Sequence, residues 1–234
     1  MGLFKPGQLI PSERTLCLEF GISRITVRRC LSEMIHEGTL YRKQGKGTFV
    51  ARQKIQQGLA RIVNFTQTVL ELGMNPSTVI LSVESLSATG EVAGQLSLPA
   101  SSPVVRLVLL GKGDEEPLVL YESFFPPEIG RKIVQEARKR EKAGVPFSTY
   151  DLYGESSGVF PTTVRQTFEA TVATDSLSAV MEVRKGSPLL LIQSAFTSRD
   201  GQRLEFRKAL YRGDRYKFHI VRDFTAYEDL AAPQ

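Results

Sequence analysis

The sequence predicts an α+β protein in two parts, a small basic head and a larger body built on a mostly antiparallel sheet. Three observations carry this. Positive charge is concentrated at the start: residues 1–54 hold ten Lys/Arg against four Glu, while the remainder holds twenty Lys/Arg against twenty-one Asp/Glu. The first fifty residues spell helix, tight turn, helix and hairpin. Beyond residue 61 the texture changes to β-branched runs, hairpin turns and short amphipathic helices. The expected division is a head over 1–52, a linker over 53–60, a body over 61–228 and a tail over 229–234.

Each element of the head has a local signal. Pro11 and Ser12 open a helix, with Ser12 as N-cap. Leu16, Cys17 and Phe20 give it an apolar stripe, and Gly21 ends it where a left-handed residue is wanted. Ser23 caps a second helix that runs to about His36 and stops at Gly38. Its inner arc is Val27, Cys30, Leu31, Met34 and Ile35; its outer arc is Ile25, Arg28, Arg29, Ser32 and Glu33. Two strand-like runs holding Leu40 and Phe49 then flank Gly45-Lys46-Gly47. Helix, turn, helix and hairpin form a winged helix-turn-helix plan. Cys17 and Cys30 read as small core residues.

The body follows the same logic. "ARQKIQQGLA" (51–60) is polar and aperiodic, so it reads as linker. "FTQTVLELG" is a short helix and "STVILSVESLSAT" a strand. "SSPVVRLVLLGKGDEEPLVLYESFFP" is a hairpin about a Gly/Asp/Glu turn. "PEIGRKIVQEARKREK" is a helix with Ile129, Ile133, Val134 and Ala137 inward. "TTVRQTFEATVA" is a strand and "DSLSAVMEV" a helix. "PLLLIQSAFTSRDGQRLEFRKALYRGD" is a second hairpin turning at Arg199-Asp200-Gly201. Mixed elements of this kind make an α+β fold.

The outer arc of the second helix raises the functional question. Arg24 and Arg28 lie one turn apart at the helix start, with Ser23 and Thr26 hydroxyls beside them and Ile25 free to meet a thymine methyl. A recognition helix enters the major groove by its first turns, where arginine grips guanine or phosphate. A solvated basic face explains the helix equally well. The hairpin tip shifts the balance: Arg42, Lys43, Gln44 and Lys46 cluster about glycines, as a wing against a phosphate backbone requires. Other motifs fail. Gly154-Glu155-Ser156-Ser157-Gly158 spells a nucleophile elbow, but Val159-Phe160-Pro161 follow and no helix begins, so it reads as a flexible surface loop. Gly45-Lys46-Gly47-Thr48 is not a phosphate loop. Two histidines, His36 and His219, and two distant cysteines give no metal-ligand spacing, and His219 reads as a strand residue. No run of 18 apolar residues is present, and no secretory signal is evident,. No metal, cofactor or membrane partner is expected, and the cytoplasm is the expected compartment.

The head closely resembles the DNA-binding domain of the GntR family of bacterial transcription regulators. The match runs through Pro6-Gly7, Pro11-Ser12-Glu13-Arg14, Ser23-Arg24-Ile25-Thr26-Val27-Arg28, Glu37-Gly38 and Gln44-Gly45-Lys46-Gly47-Thr48-Phe49-Val50. The body resembles the UTRA effector domain of the HutC subfamily, through Phe65-Thr66, Gly73-Met74 with Pro76, Asp114 with Pro117, Gly186-Ser187-Pro188-Leu189, Asp200-Gly201 and Tyr211-Arg212-Gly213-Asp214-Arg215-Tyr216. The resemblance implies a chorismate-lyase-like body that binds a small metabolite, homodimerises and does no chemistry. It places Arg14, Ser23, Arg24, Thr26 and Arg28 at DNA-contacting positions and Gln44, Gly45 and Lys46 at the wing tip. It places Phe65, Thr66, Ser148, Tyr150, Glu205 and Tyr211 around the effector. Two departures stand out. Relatives carry an arginine pair on the strand before the Asp–Pro turn, where Leu109 and Gly111 stand here, with Arg106 and Lys112 off register. The family's first helix, before Pro6-Gly7, is missing.

The expected function is a ligand-responsive regulator, most often a repressor, that holds a double-stranded operator as a homodimer and answers to a small metabolite. One alternative is a metabolite-binding protein whose truncated head no longer works. Another is a lyase-like enzyme using Glu122, Glu169 or Glu205 as an acid, against which no acid and base pair with a nucleophile or metal.

Overall fold

The computed structural model describes residues 4, 6–37, 39–51, 54–58 and 65–221. Gly38, the ends of the expected linker and the tail lie outside the described residues. The chain divides into two compact units, residues 1–54 and 55–234.

The first unit is built on its caps. Helix α1 (Glu13–Phe20) starts where the Ser12 hydroxyl accepts from the Thr15 N–H at 3.2 Å, and it ends at Gly21 with φ 64°. Helix α2 (Arg24–His36) repeats the device with Ser23 and the Thr26 N–H, also at 3.2 Å. Strands β1 (Leu40–Lys43) and β2 (Gly47–Val50) form the antiparallel hairpin, and its turn includes Gly45 at φ 71°. A third piece was not anticipated. Residues 7–10 lie along the free edge of β2: the Gly7 N–H donates to the Val50 carbonyl, the Val50 N–H to Gln8 and the Ile10 N–H to Thr48, each at 2.9 Å. Ile10, Val27, Leu31 and Leu40 make the core, with Leu16, Cys17, Ile35 and Val50 against it.

That core is smaller than the apolar arcs predicted. Cys17 is half-buried, but Cys30 is exposed, which corrects its assignment to the core. Phe20 is 59% exposed, and Met34 is also exposed. The reason is geometric. The arc of α2 is wider than the surface that α1 and the hairpin cover, and its uncovered part lines an apolar groove of about 510 Å³ with Phe4, Phe20 and Ile22.

The second unit is a six-stranded, wholly antiparallel sheet of β4 (Pro76–Ser87), β5 (Pro103–Gly113), β6 (Glu116–Phe125), β7 (Thr163–Val172), β8 (Pro188–Thr197) and β9 (Arg203–Arg212), in spatial order β4-β5-β6-β9-β8-β7. Alternate residues of a strand face opposite ways. Val105, Leu107 and Leu109 of β5 pack under α3 (Phe65–Glu71), α5 (Pro127–Lys142) and a 3₁₀ turn (Thr149–Leu152). The opposite face holds two further clusters. Val104, Phe124 and Phe206 meet α4 (Gly90–Leu96). Val108, Leu110, Leu120 and Leu210 meet α6 (Asp175–Met181). Central strands covered on both faces read as near-continuous apolar runs, which explains "VVRLVLL". The β5–β6 turn is Asp114-Glu115, both at positive φ, as a two-residue hairpin loop demands,.

Two segments differ from expectation. Ile55–Gly58, read as linker, forms strand β3 and pairs in parallel with β10 (Tyr216–His219); the Ile55 N–H donates to the Arg215 carbonyl at 2.7 Å, and the Ile55 side chain is buried. Its four residues pair with a strand some 160 positions away, which no local pattern announces. The Gly154–Gly158 loop is a compact turn rather than a loose one. Ser157 is buried, and its hydroxyl donates to the Gly154 carbonyl at 3.3 Å.

Candidate functional site

In the first unit, capping by Ser23 fixes which residues open α2. It puts Arg24, Ile25, Arg28, Arg29 and Ser32 on one exposed arc, with Ile25 82% exposed. Ser23 and Thr26 share a hydrogen bond, Oγ to Oγ1, at 2.9 Å. One carboxylate ties this arc to the wing. Arg28 Nη2 lies 3.4 Å from Glu13 Oε2, and Arg42 Nη2 lies 3.5 Å from Glu13 Oε1. Glu13 therefore links the start of α1, the side of α2 and strand β1. It went unremarked as a site residue, although it stands inside Pro11-Ser12-Glu13-Arg14. Arg14 is exposed on α1. Gln44, Gly45 and Lys46 form the exposed hairpin tip, beside a concavity of about 550 Å³ that Ser12 and Glu13 also line. Arg29 is taken up along the helix by Glu33 at 3.1 Å. Chemically, the unit offers exposed cations at a helix start, on strand β1 and at a loop tip, the first two joined through one acidic residue.

In the second unit, the residues expected around an effector share the face under α3, α5 and the 3₁₀ turn. Glu205 and Tyr211 are both buried on β9. Ser148 is buried and already engaged: its N–H and Oγ both donate to Asp151 Oδ2 at 2.8 Å, which holds the 3₁₀ turn. The Tyr150 ring packs edge-on to Phe196 at 5.5 Å. Thr66 Oγ1 donates to the Pro146 carbonyl at 3.3 Å, two residues before Ser148. Phe65 is core, and its ring covers Gly111, where an added Cβ would stand 2.8 Å from Cζ. Leu109 is buried as well. Both positions of the relatives' arginine pair are thus closed by apolar packing. Arg106 pairs with Glu84 at 2.9 Å and Glu122 at 2.7 Å, and Lys112 pairs with Glu115.

Sequence reasoning missed Arg207. It is 1% exposed, on the same strand face as Glu205 and Tyr211, and its guanidinium lies 4.1 Å from the centre of the Tyr150 ring. The signal was the spacing of two in "EFRKALY": positions 205, 207, 209 and 211 point one way. Nη1 donates to Thr149 Oγ1, and the Tyr153 hydroxyl donates to Glu205 Oε2. Burial pushes the Glu205 carboxyl above its ordinary value, and Arg207 pulls back only part of that,. Burial also opposes the charge of Arg207, but Tyr150 and Glu205 outweigh it and the guanidinium stays charged. Among the described residues, four buried side-chain atoms have no hydrogen-bond partner: Glu205 Oε1, Arg207 Nε, Ser123 Oγ and, on β4, Ser77 Oγ. No group of three or more side chains suited to a metal ion occurs among them, and no described helix is long and apolar enough to cross a membrane.

Comparison with known proteins agrees with this division. Residues 1–50 match the family described as bacterial regulatory proteins, gntR family, and residues 71–217 match the UTRA domain. The chain is 30% identical over 217 residues to the HTH-type transcriptional repressor NagR of Bacillus subtilis, covering 93% of this chain and 86% of that one. It is 30% identical over 204 residues to the Escherichia coli protein named "Probable fructoselysine utilization operon transcriptional repressor", covering 85% and 79%. The crystal structure of PhnF from Mycobacterium smegmatis shares the fold with a TM-score of 0.70 at 24% identity, over 95% of both chains. With a gntR-type head and a UTRA domain joined in one chain, the protein belongs to the GntR family, in its HutC (UTRA-containing) subfamily.

Proposed function

We propose that the protein is a ligand-responsive, sequence-specific DNA-binding transcription regulator that acts as a repressor, with a small metabolite altering its hold on an operator. Residues 1–52 meet the duplex, 53–60 connect, and 61–228 sense the metabolite. Arg14, Ser23, Arg24, Thr26 and Arg28 enter or flank the major groove. Arg42, Gln44, Gly45 and Lys46 hold the backbone beside it. Phe65, Thr66, Ser148, Tyr150, Glu205 and Tyr211 surround the effector. The chain works as a homodimer in the cytoplasm, so two heads meet a pseudo-palindromic site. It takes no cofactor and catalyses no reaction.

The observation that carries this reading is the pairing of exposed cations at two places in one head, the start of α2 and the hairpin tip. The named repressors among its relatives support the sign. An effector acts by favouring arrangements in which the two heads no longer match the half-site spacing. Packing offers a route: Tyr211 meets Tyr216 edge-on at 4.8 Å, and Tyr216 stands opposite Ile55, the first residue of the second unit. The test is a gel shift with the duplex upstream of the protein's own gene against unrelated competitor. Retarded specific duplex, released by a metabolite, is expected; equal binding to both duplexes refutes the reading. Turnover of chorismate or aromatic esters would refute the absence of catalysis.

A further inference from the structure

The chemistry of the effector can be narrowed from the buried part of β9, resting on the reading that this face is the effector site. Arg207 and Glu205 are each 1% exposed. They stand two residues apart on one strand face, yet no ion pair within 4.0 Å joins them, and each keeps an unpartnered atom, Nε and Oε1. Ser123 on β6 and Ser194 on β8 lie level with Arg207 on either side. The Ser194 hydroxyl accepts from Gln166 at 3.1 Å, whereas that of Ser123 makes no hydrogen bond within 3.5 Å and stands close enough to Glu205 to draw its carboxyl pKa down. Aromatic rings hem in the guanidinium: Tyr150 at 4.1 Å, Phe196 at 4.9 Å and Tyr121 at 5.5 Å. Arg212, also buried, is taken up by Asp214 and Glu116.

Buried polar atoms in folded chains are nearly always paired, and a buried charge left incomplete is costly. Here three such atoms gather in one place, one cationic, one acidic and one hydroxyl. We propose that the effector is a small carboxylate that also bears an amine or hydroxyl: its carboxylate takes Arg207 Nε and Ser123 Oγ, and its donor serves Glu205 Oε1. A planar guanidinium between aromatic faces suits a planar carboxylate. A phosphate dianion fits poorly, because it brings two negative charges beside a buried carboxylate, and among the described residues Arg207 Nε is the one buried cationic atom left without a partner to meet them,.

The test offers the full-length protein an equimolar mixture of amino acids, hydroxy acids, sugar 6-phosphates, neutral sugars and simple amines. Retained compounds are identified by ultrafiltration and mass spectrometry, and then tried for release of the operator duplex. The wild type is expected to retain a carboxylate. Arg207→Met should weaken it about ten-fold or more, and the variant should also melt lower without ligand, because it strips buried Glu205 of its counter-charge and Thr149 of its donor,. Should Arg207→Met not fold, Arg207→Lys carries the test: it keeps the charge and loses the fork, so an affinity several-fold weaker is expected and an unchanged one overturns the proposal. Retention of sugar phosphates or neutral compounds alone, equal retention by Arg207→Met, or retention of nothing also overturns it. A neutral compound that releases operator and is lost in Glu205→Gln overturns the carboxylate while leaving the regulator standing. An operator complex indifferent to every compound removes both.

Discussion

Replacing Lys46 with Ala should flatten the salt dependence of operator binding by a predictable amount. Lys46 sits in the hairpin turn, and it has no ion pair among the described residues, so its charge is available to phosphate. The backbone bond that closes the turn, from the Lys46 N–H to the Lys43 carbonyl at 2.9 Å, does not involve the side chain. The head should therefore fold unchanged. Each phosphate contact steepens the plot of log affinity against log salt by about 0.9. From about 50 to about 200 mM salt, the loss of one contact makes the fall in affinity about 3.5-fold smaller than in the parent. Arg42→Ala should change the slope less, because Arg42 and Arg28 already share Glu13 at 3.5 and 3.4 Å. Fluorescence anisotropy with a labelled operator duplex across a salt series reads the slope directly. A Lys46→Ala slope equal to the parent's would refute a phosphate role for the wing.

Three other substitutions probe the remaining sites. Arg28→Ala should cost about 1–3 kcal/mol of operator binding and relax preference at one base pair, seen by competition with single-base operator variants; its exposed ion pair with Glu13 makes the folding cost less than about 1 kcal/mol,. Gly111→Ala forces a methyl to 2.8 Å from Phe65 Cζ and 2.9 Å from Val119 Cγ1, so overpacking should cost about 1–3 kcal/mol, and calorimetry should show a lower melting temperature for the second unit. Glu205→Gln tests a pH effect. Burial raises the folded pKa of Glu205, so its protonated form is favoured by the fold below the unfolded value, and that advantage is lost as pH rises through the folded value,. Glu205→Gln should therefore melt above the parent near neutral pH, and the difference should shrink as the pH falls to about 4. A constant difference across that range would place the pKa shift elsewhere.

The caps and turns were legible because their causes are local. Ser12, Gly21 and Ser23 set the ends of α1 and α2 through bonds spanning three residues, and Gly45 and Gly47 marked the wing. Apolar runs flanking turn residues revealed β5–β6 and β8–β9 as hairpins of a sheet, and the inward residues of α5 followed from helical spacing. Helix α4 escaped notice because Gly90 and Gly94 weaken its helical signal, and it is held through Val92, Ala93 and Leu96 against Val104, Phe124 and Phe206.

The sequence alone determined where helices start and stop, which strands turn back on themselves, and that cations collect at a helix start and a loop tip. All of these depend on neighbours within a few residues. Tertiary structure alone decided that Ile55 is core, that Cys30 is surface, that Phe65 closes Gly111, and that Arg207 is buried with Glu205 rather than solvated. Each outcome is set by partners distant in the chain: β9 lies between β6 and β8, and the 3₁₀ turn brings Thr149 and Tyr150 over it. Burial belongs to the assembled layers, and no short window of residues contains them.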